Sequence, residues 1–235
     1  MAITLDIQLN PNLYLRNPSE TKLGNKIISF SIELIEKMGF EEFTFRKLAL
    51  AINSTEASVY RYFENKHKLL VYLISWYWEW VRFKIILRTE ELISPTDKLK
   101  AALKILAEAS IEDPETEYIN ETLLHHIVIS EGPKAYHTKQ VDKENKEGLF
   151  LCYKALCQKL YEIILEVNPS FIYPRSLASN LIEIATSHIY YAQHLPRLTD
   201  IRVKENDYSQ VEQLLSFFAF GLLCPENTGL PSSEI

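Results

Sequence analysis

The scarcity of glycine is the feature of this sequence that most restricts its fold. Only 6 of the 235 residues are Gly, well below the average usage of about 7%. Tight β-hairpins and phosphate-binding loops depend on glycine, because it adopts positive φ without steric strain. The sequence therefore disfavours β-rich folds and nucleotide-binding folds, and it favours helices.

Hydrophobic periodicity predicts an all-α fold of about nine helices. From Thr21 onward apolar residues recur at a spacing of three to four, and Ser-Pro, Asp-Pro, Gly-Pro and Asn-Pro pairs interrupt the pattern. Gly39 is expected to end the first helix, Gly132-Pro133 to break the sixth, and Gly148 to kink or split the seventh. The predicted helices cover residues 21–39, 44–52, 56–63, 65–93, 95–111, 115–130, 136–166, 175–194 and 207–223.

Cysteine usage and hydropathy suggest a protein of a reducing, cytoplasmic compartment. The three cysteines, at positions 152, 157 and 224, form neither a metal-type CxxC spacing nor an even set. The first residues lack the basic region of a signal peptide. The most apolar stretch, residues 69–87, carries three charged side chains, which a bilayer span of about 20 residues would not tolerate. We therefore expect no membrane partner.

Two short predicted helices between residues 44 and 63 have the spacing of a helix-turn-helix. A turn of three to four residues separates them, and the second short helix of such a motif lies in the major groove of DNA. Leu48, Ala49 and Ile52 of the first helix are expected to pack against Val59 and Phe63 of the second. The small Ala49 would allow a close approach of the two helices.

The opposite face of the second helix carries groups suited to DNA. Hydroxyls and phenols can bind phosphates, and an arginine can pair with phosphate or guanine. A helix N-terminus with a Thr cap also favours phosphate. Tyr60 could instead be half core, and Tyr62 could pack on the neighbouring helix. The candidate DNA-contacting residues are Thr44, Arg46, Thr55, Glu56, Ala57, Ser58, Tyr60, Arg61, Tyr62 and Lys66.

This region resembles the DNA-binding domain of the TetR family, the tetracycline-repressor-like regulators. The resemblance covers about 50 residues and lies in the segments FTFRKLA (43–49) and STEASVYRYFENK (54–66), followed by Leu69-Leu70. Its most specific part is the Tyr-x-Tyr-Phe-x-x-Lys pattern that begins at Tyr60. The resemblance implies a dimeric, all-α transcriptional regulator, usually a repressor, which a small ligand in its C-terminal domain releases from DNA.

Two residues depart from the family pattern. Glu56 stands where the family often has Lys, so it either reads a cytosine amino group or weakens general affinity for DNA. Asn53 replaces a frequent Gly in the turn, and Asn tolerates left-handed geometry. With the resemblance, the chain divides into an extended arm that pairs as a strand or packs in extended form (1–20), a DNA-binding domain (21–70), a helical ligand-binding and dimerisation domain (71–225) and a flexible tail (226–235).

An aromatic-rich helix and the helices near it supply the candidate effector site. All three Trp residues lie between positions 76 and 80, where they either pack in the core or line a pocket. His125 would be a polar group in that otherwise apolar pocket. The partner would be a small, largely apolar or aromatic effector. The candidate ligand-binding residues are Trp76, Trp80, Phe83, His125, Ile129 and Tyr153.

The last two predicted helices are apolar enough to form a dimer interface. The resemblance implies a four-helix interface built from them, and their apolar stripes are compatible with it. The candidate interface residues are Leu181, Ile184, His188, Ile189, Leu214, Phe218 and Leu222. No metal site is expected, because adjacent His125 and His126 point about 100° apart on a helix. No cofactor is expected either, and no Ser/His/Asp or Cys/His arrangement typical of catalysis is recognisable. The sequence gives no indication of an enzyme.

The net charge of −6 is unevenly distributed. Residues 1–70 hold nine Lys/Arg against eight Asp/Glu, which gives +1, and residues 71–235 hold sixteen against twenty-three, which gives −7. The acidity therefore lies outside the predicted DNA-binding domain. We predict a homodimeric, ligand-responsive repressor that binds a palindromic operator with modest non-specific affinity. The alternative is a helical protein-interaction module that has lost DNA binding.

Overall fold

In the computed structural model, which describes residues 7–109, 118–204 and 207–224, the chain forms ten α-helices and three short 3-10 turns, with no strand in those ranges. The predicted all-α class is confirmed, with ten helices where about nine were expected. The helices are α1 (Lys22–Glu42), α2 (Phe45–Ala51), α3 (Glu56–Tyr60), α4 (Lys66–Thr89), α5 (Pro95–Ala107), α6 (Glu121–Tyr136), α7 (Val141–Lys146), α8 (Leu151–Val167), α9 (Pro174–His194) and α10 (Ser209–Leu223).

The helices fall into two compact units that do not follow the chain order. The first contains residues 1–80 and 110–154, and the second contains residues 81–109 and 155–235. The first unit thus includes α1, α2, α3, α6 and α7, together with the first part of α4. The second includes α5, α9 and α10. This geometric division differs from the predicted functional boundary after residue 70, which stays a prediction.

Side-chain caps begin the N-terminal helices where the sequence predicts them. The hydroxyl oxygens of Thr21, Thr44 and Thr55 accept hydrogen bonds from backbone N–H groups three residues ahead, at 2.9, 3.2 and 3.2 Å. Asn65 does the same for Lys68 at 2.9 Å. Each cap satisfies a backbone donor that has no partner inside its helix. These four positions explain why α1 to α4 start where they do.

The predicted break at Gly132-Pro133 is wrong, because α6 continues through both residues to Tyr136. Pro133 removes one helical N–H, while the preceding Gly132 has no Cβ to clash with the proline ring, which removes part of the cost of a proline inside a helix. Gly148, with φ +78°, does split the predicted seventh helix into α7 and α8. Several helices also end earlier than predicted: α3 at 60, α4 at 89 and α5 at 107.

The described part of the N-terminal arm packs on the first unit through two 3-10 turns, Pro11–Leu13 and Pro18–Glu20. Leu9 and Leu13 are buried, and the backbone N–H of Leu15 donates to the carbonyl oxygen of Tyr62 at 2.8 Å. The predictions for residues 1–6, for the tail 226–235 and for the start of the sixth helix lie outside the described residues. Within the described ranges no helix is long and apolar enough to cross a membrane.

Candidate nucleic-acid interface

Helices α2 and α3 pack as the predicted helix-turn-helix. Leu48, Ala49, Ile52, Val59 and Phe63 are all 6% exposed or less, so the two short helices share an apolar core. The turn between them bends at Asn53, whose φ of +51° is the left-handed geometry expected there. The N–H of Ser54 closes the turn by donating to the carbonyl oxygen of Ala49 at 2.8 Å.

Helix α3 presents most of its predicted DNA-contacting residues to solvent. Arg61, Glu56 and Ala57 are exposed, as is Thr55, whereas Ser58 is half-buried. The hydroxyl groups of Thr55 and Ser58 are hydrogen-bonded to each other at 2.8 Å. This contact fixes their orientation while leaving lone pairs and a second proton for a phosphate or base edge. Thr44 and Arg46, at the start of α2, are exposed as well.

Tyr60 combines a core contact with an exposed surface. Its ring packs edge-to-face against Phe45, with the centroids 5.0 Å apart, yet 47% of the residue stays exposed. Such a position holds the ring rigidly and leaves one side open. Tyr60 is therefore partly core, one of the alternatives that the sequence left open, and it exposes one side of its ring to solvent.

Tyr62 is turned inward, in contrast to the other tyrosine of the motif. It is 2% exposed, and its hydroxyl group is 2.8 Å from the hydroxyl of Thr21, the cap of α1. The guanidinium of Arg16 lies over the ring at 5.4 Å. The phenol hydroxyl thus contacts the cap of α1, and the ring contacts Arg16 of the arm, so Tyr62 connects both to the segment directly after α3. We leave Tyr62 out of the DNA-contacting set that we propose below.

Lys66 also has partners within the protein. Its ammonium group donates to the carbonyl oxygens of Phe40, Glu41 and Phe43 at 3.0, 2.9 and 3.2 Å. It also lies 4.8 Å from the centre of the Phe40 ring. Carbonyl groups at the end of a helix lack intrahelical partners, and a cation is favourable there. Lys66 therefore joins the end of α1 to the start of α4.

The carboxylate of Glu131, on α6, contacts the same segment, residues 40–43, that Lys66 contacts. Gly39, with φ +77°, interrupts α1, and the backbone N–H of Phe40 donates to Glu131 Oε1 at 2.9 Å. Lys134 Nζ lies 2.7 Å from the second Glu131 oxygen and 3.1 Å from a carboxylate oxygen of Glu41. The hydrogen bond to Glu131 is the main reason that the pKa of Lys134 is raised. Neither residue was predicted, because Glu131 lies next to the supposed helix break.

The sequence of this region also matches a known family. Residues 27–73 match the family described as bacterial regulatory proteins, tetR family, and the match runs from α1 through the helix-turn-helix into α4. Residues 27–73 thus form a domain of the tetR family of bacterial regulatory proteins. A comparison with curated protein sequences finds no match.

Solved structures similar to the regulator extend the likeness to the whole fold. AibR in complex with isovaleryl coenzyme A and operator DNA is 16% identical, with 81% of this chain and 95% of that chain covered and a TM-score of 0.55. The fatty acid degradation regulator FadR from Bacillus halodurans is 16% identical over 84% and 95%, with a TM-score of 0.60. The ketosteroid regulator KstR2 of Mycobacterium tuberculosis is 12% identical over 92% and 96%, at 0.55.

Three of the four aromatic candidates for effector binding, Trp76, Trp80 and Tyr153, lie in one aromatic cluster within the first unit. Trp76 and Trp80 are buried and stacked, with centroids 6.3 Å apart, and the ring of Tyr77 lies 5.9 Å from Trp80. Tyr153 packs on Trp78 at 5.4 Å. Ile129 is half-buried on α6, whereas Phe83 is half-buried in the second unit. Sequence reasoning missed Tyr136, whose hydroxyl accepts from Trp78 Nε1 at 2.9 Å.

His125 is the polar group of this cluster. It is 2% exposed, and its Nδ1 is 2.6 Å from the Tyr77 hydroxyl. Its Nε2 has no hydrogen-bond partner among the described residues. Burial, with a smaller effect from His126, lowers the pKa of His125 to about 3. The imidazole is therefore neutral at physiological pH, with one nitrogen left to donate or accept a hydrogen bond.

The predicted dimer-interface residues divide into two groups. Leu181 and Ile189 are fully buried inside the second unit and offer no surface. On α10, Phe218 is 37% and Leu222 is 53% exposed. Ile184, His188 and Leu214 are half-buried. Phe217, absent from the predicted set, is 71% exposed and packs edge-to-face on Phe218, with centroids 5.8 Å apart.

Proposed function

We propose that the regulator is a ligand-responsive repressor that binds a palindromic operator as a homodimer. The observation that carries the DNA-binding part is the solvent-facing surface of α3, the second helix of the helix-turn-helix. In this proposal α3 enters the major groove and Arg61 reaches a phosphate or a guanine. The proposed contacts are Thr44, Arg46, Thr55, Glu56, Ala57, Ser58, Tyr60 and Arg61.

The Arg61→Ala variant is expected to bind operator DNA about 10- to 100-fold more weakly, the usual cost of one arginine contact to a base or phosphate. Duplexes enriched by the wild type from a random pool serve as the operator, and fluorescence anisotropy gives the affinity. Arg197→Ala removes an exposed arginine of the second unit and is the matched control. Equal affinity for wild type and Arg61→Ala would contradict docking through α3.

The homodimer is supported by the exposed apolar surface of α10. Phe217, Phe218 and Leu222 expose large side chains on one short helix that packs against α9. Apolar patches of this kind mark interaction sites on soluble proteins. A symmetric dimer through α9 and α10 would cover the patch and would place two recognition helices about 34–36 Å apart, one turn of DNA.

A Phe217→Glu variant is expected to shift the regulator toward monomers, because the dimer would bury an unpaired carboxylate. Sedimentation velocity over a concentration series measures the shift, and we expect the dimer dissociation constant to rise at least about 100-fold. Ile172→Glu changes a residue outside α9 and α10 with similar exposure, 76% against 71%, and should sediment as the wild type does. A wild type that is monomeric throughout would contradict the dimer.

The effector is proposed to be largely apolar with one hydrogen-bonding group. The support is the aromatic cluster around Tyr77 together with the unpartnered Nε2 of buried His125, since binding sites of small molecules are mostly apolar with few polar groups. Among the similar structures, AibR is in complex with isovaleryl coenzyme A, FadR is named as a fatty acid degradation regulator, and KstR2 is named as a ketosteroid transcriptional regulator. These names agree with an effector that has a substantial apolar part.

The alternative, a protein-interaction module without DNA binding, rests on the exposed Glu56 at the start of α3. A carboxylate there would repel phosphates. A salt titration with random-sequence duplex separates the two functions, because phosphate contacts give a negative slope of log affinity against log salt. A flat response would favour the alternative.

A further inference from the structure

Beyond the helix-turn-helix, a groove in the first unit begins directly after the recognition helix. One wall is formed by residues 64–68, the segment that leads from α3 into α4, and the other wall is formed by the segment 138–147, which contains α7. The volume of the groove is about 490 Å³. The lining residues are Glu64, Asn65, Lys66, His67, Lys68, Thr138, Lys139, Gln140, Lys143, Glu144 and Glu147.

Side-chain bonds hold the second wall firmly against the first. Glu144 Oε1 is 2.9 Å from His67 Nε2, and Glu147 accepts from Lys68 Nζ at 3.4 Å. The side-chain amide of Asn12 in the arm donates to the backbone carbonyl of Glu147 at 2.9 Å. The segment that carries α7 is thus fixed in place relative to the end of α3.

The acidic and basic side chains of this second wall differ in their exposure to solvent. Glu144 is 5% exposed and faces His67, and Glu147 is shared between Lys68 and Lys143. In contrast, Lys139 and Lys146 are exposed, and the Lys143 side chain is 74% exposed. Glu64 and Asp142 are the exposed acidic residues nearby. The second wall therefore pairs two of its three carboxylates, Glu144 and Glu147, with neighbouring basic side chains, and it exposes Asp142 beside the three lysine ammonium groups.

We propose that this lysine wall, formed by Lys139, Lys143 and Lys146, binds the DNA phosphate backbone next to the site read by α3. The inference rests on the proposed DNA binding through α3. It follows from continuity, because residues 64–68 connect the recognition helix to the groove, and from charge, because exposed lysines on a fixed segment complement phosphates. The segment 138–147 is neutral overall, with three lysines against Asp142, Glu144 and Glu147, so the wall offers ammonium groups through their exposure and not through a net positive charge.

The test compares two variants that remove the same charge. Lys139→Gln/Lys143→Gln changes the wall, and Lys100→Gln/Lys104→Gln changes two lysines of α5 in the second unit. The pairs are matched, because Lys143 lies 3.7 Å from Glu147 and Lys104 lies 3.8 Å from Glu108, both four residues along a helix. Anisotropy with a random-sequence duplex gives the slope of log affinity against log salt for each protein.

We expect the slope of the wall variant to be shallower than that of the wild type by about 1–2, since each lost phosphate contact contributes about 0.9. The control variant should keep the wild-type slope, and thermal melting should show all three proteins folded. If the wall variant has the same slope of log affinity against log salt as the wild type, the proposed phosphate binding by the lysine wall is wrong. The proposed docking of α3 would not be affected by that result. A wild type with no salt-dependent binding overturns the proposed function, and the lysine wall with it.

Discussion

A Gly24→Ala variant is expected to lose about 3 kcal/mol of its free energy of unfolding, at the upper end of the usual cost of overpacking. A Cβ added at Gly24 would lie 2.1 Å from the carbonyl oxygen of Pro18 and 2.5 Å from its Cα. Both are backbone atoms of a buried residue, so no side-chain rotation relieves the clash. Either α1 or the arm must move.

Movement of the arm would disturb more than one contact. The arm carries the Leu15 N–H that bonds to the carbonyl oxygen of Tyr62, and it leads directly into Thr21, whose hydroxyl bonds to the Tyr62 phenol. Because Tyr62 directly follows the helix-turn-helix, we expect the Gly24→Ala variant to bind operator DNA more weakly as well. Chemical denaturation followed by circular dichroism measures the loss of stability.

Gly132→Ala is the matched control for this prediction. A Cβ at Gly132 meets nothing within 4 Å, and Gly132 lies inside α6. Alanine exceeds glycine in helix propensity by up to about 1 kcal/mol. The ring of Pro133 disfavours a Cβ on the residue before it and offsets this gain, so the control should stay within about 1 kcal/mol of the wild type. Equal stability of Gly24→Ala and the wild type would show that the arm does not pack on α1 as described.

The fold class and the DNA-binding helices could be predicted because local signals determine them. Thr21, Thr44 and Thr55 act as caps through hydrogen bonds to residues three positions away, so the sequence alone locates the starts of α1, α2 and α3. The apolar periodicity of α2 likewise predicts which side is buried. Interactions within a few residues are visible in a single sequence, and here they agree with the tertiary structure.

The direction of side chains after a short helix could not be predicted, because distant residues determine it. Tyr60 and Tyr62 look alike in the sequence, but Phe45 holds one at the surface while Thr21 accommodates the other inside. The helix break expected at Gly132-Pro133 fails for a similar reason. Glu131 beside it bonds to Phe40, 91 residues away in the chain, and this contact favours a continued helix.

The second large effect is expected for Lys66→Met, which should lower the free energy of unfolding by about 1.5–3 kcal/mol, the range for hydrogen bonds to a charged group. Methionine keeps most of the aliphatic stem but removes the ammonium that binds the carbonyl oxygens of Phe40, Glu41 and Phe43. These carbonyls close the turn before Thr44, where α2 begins. The loss should therefore loosen the entry into the helix-turn-helix.

The DNA-binding properties of Lys66→Met separate two roles for this residue. If the ammonium only holds the turn, the affinity for DNA falls with the stability of the domain, while the slope of log affinity against log salt is unchanged. If it contacts a phosphate, as the sequence suggests, the slope becomes shallower by about 0.9 and the stability is retained. The three carbonyl contacts lead us to expect the first result.

Lys26→Met is the control, because Lys26 is an exposed lysine of α1 in the same domain. It should leave the unfolding midpoint and the salt slope unchanged. A Lys66→Met variant with wild-type stability and a shallower slope would return Lys66 to the set of phosphate contacts. The expected result instead gives Lys66 and Glu131 the same structural role at residues 40–43. Lys66, on α4, donates to the carbonyl oxygens of this turn, and Glu131, on α6, accepts from the N–H of Phe40. Since α6 also carries His125, one helix joins the aromatic cluster to the Glu131 carboxylate that accepts the Phe40 hydrogen bond.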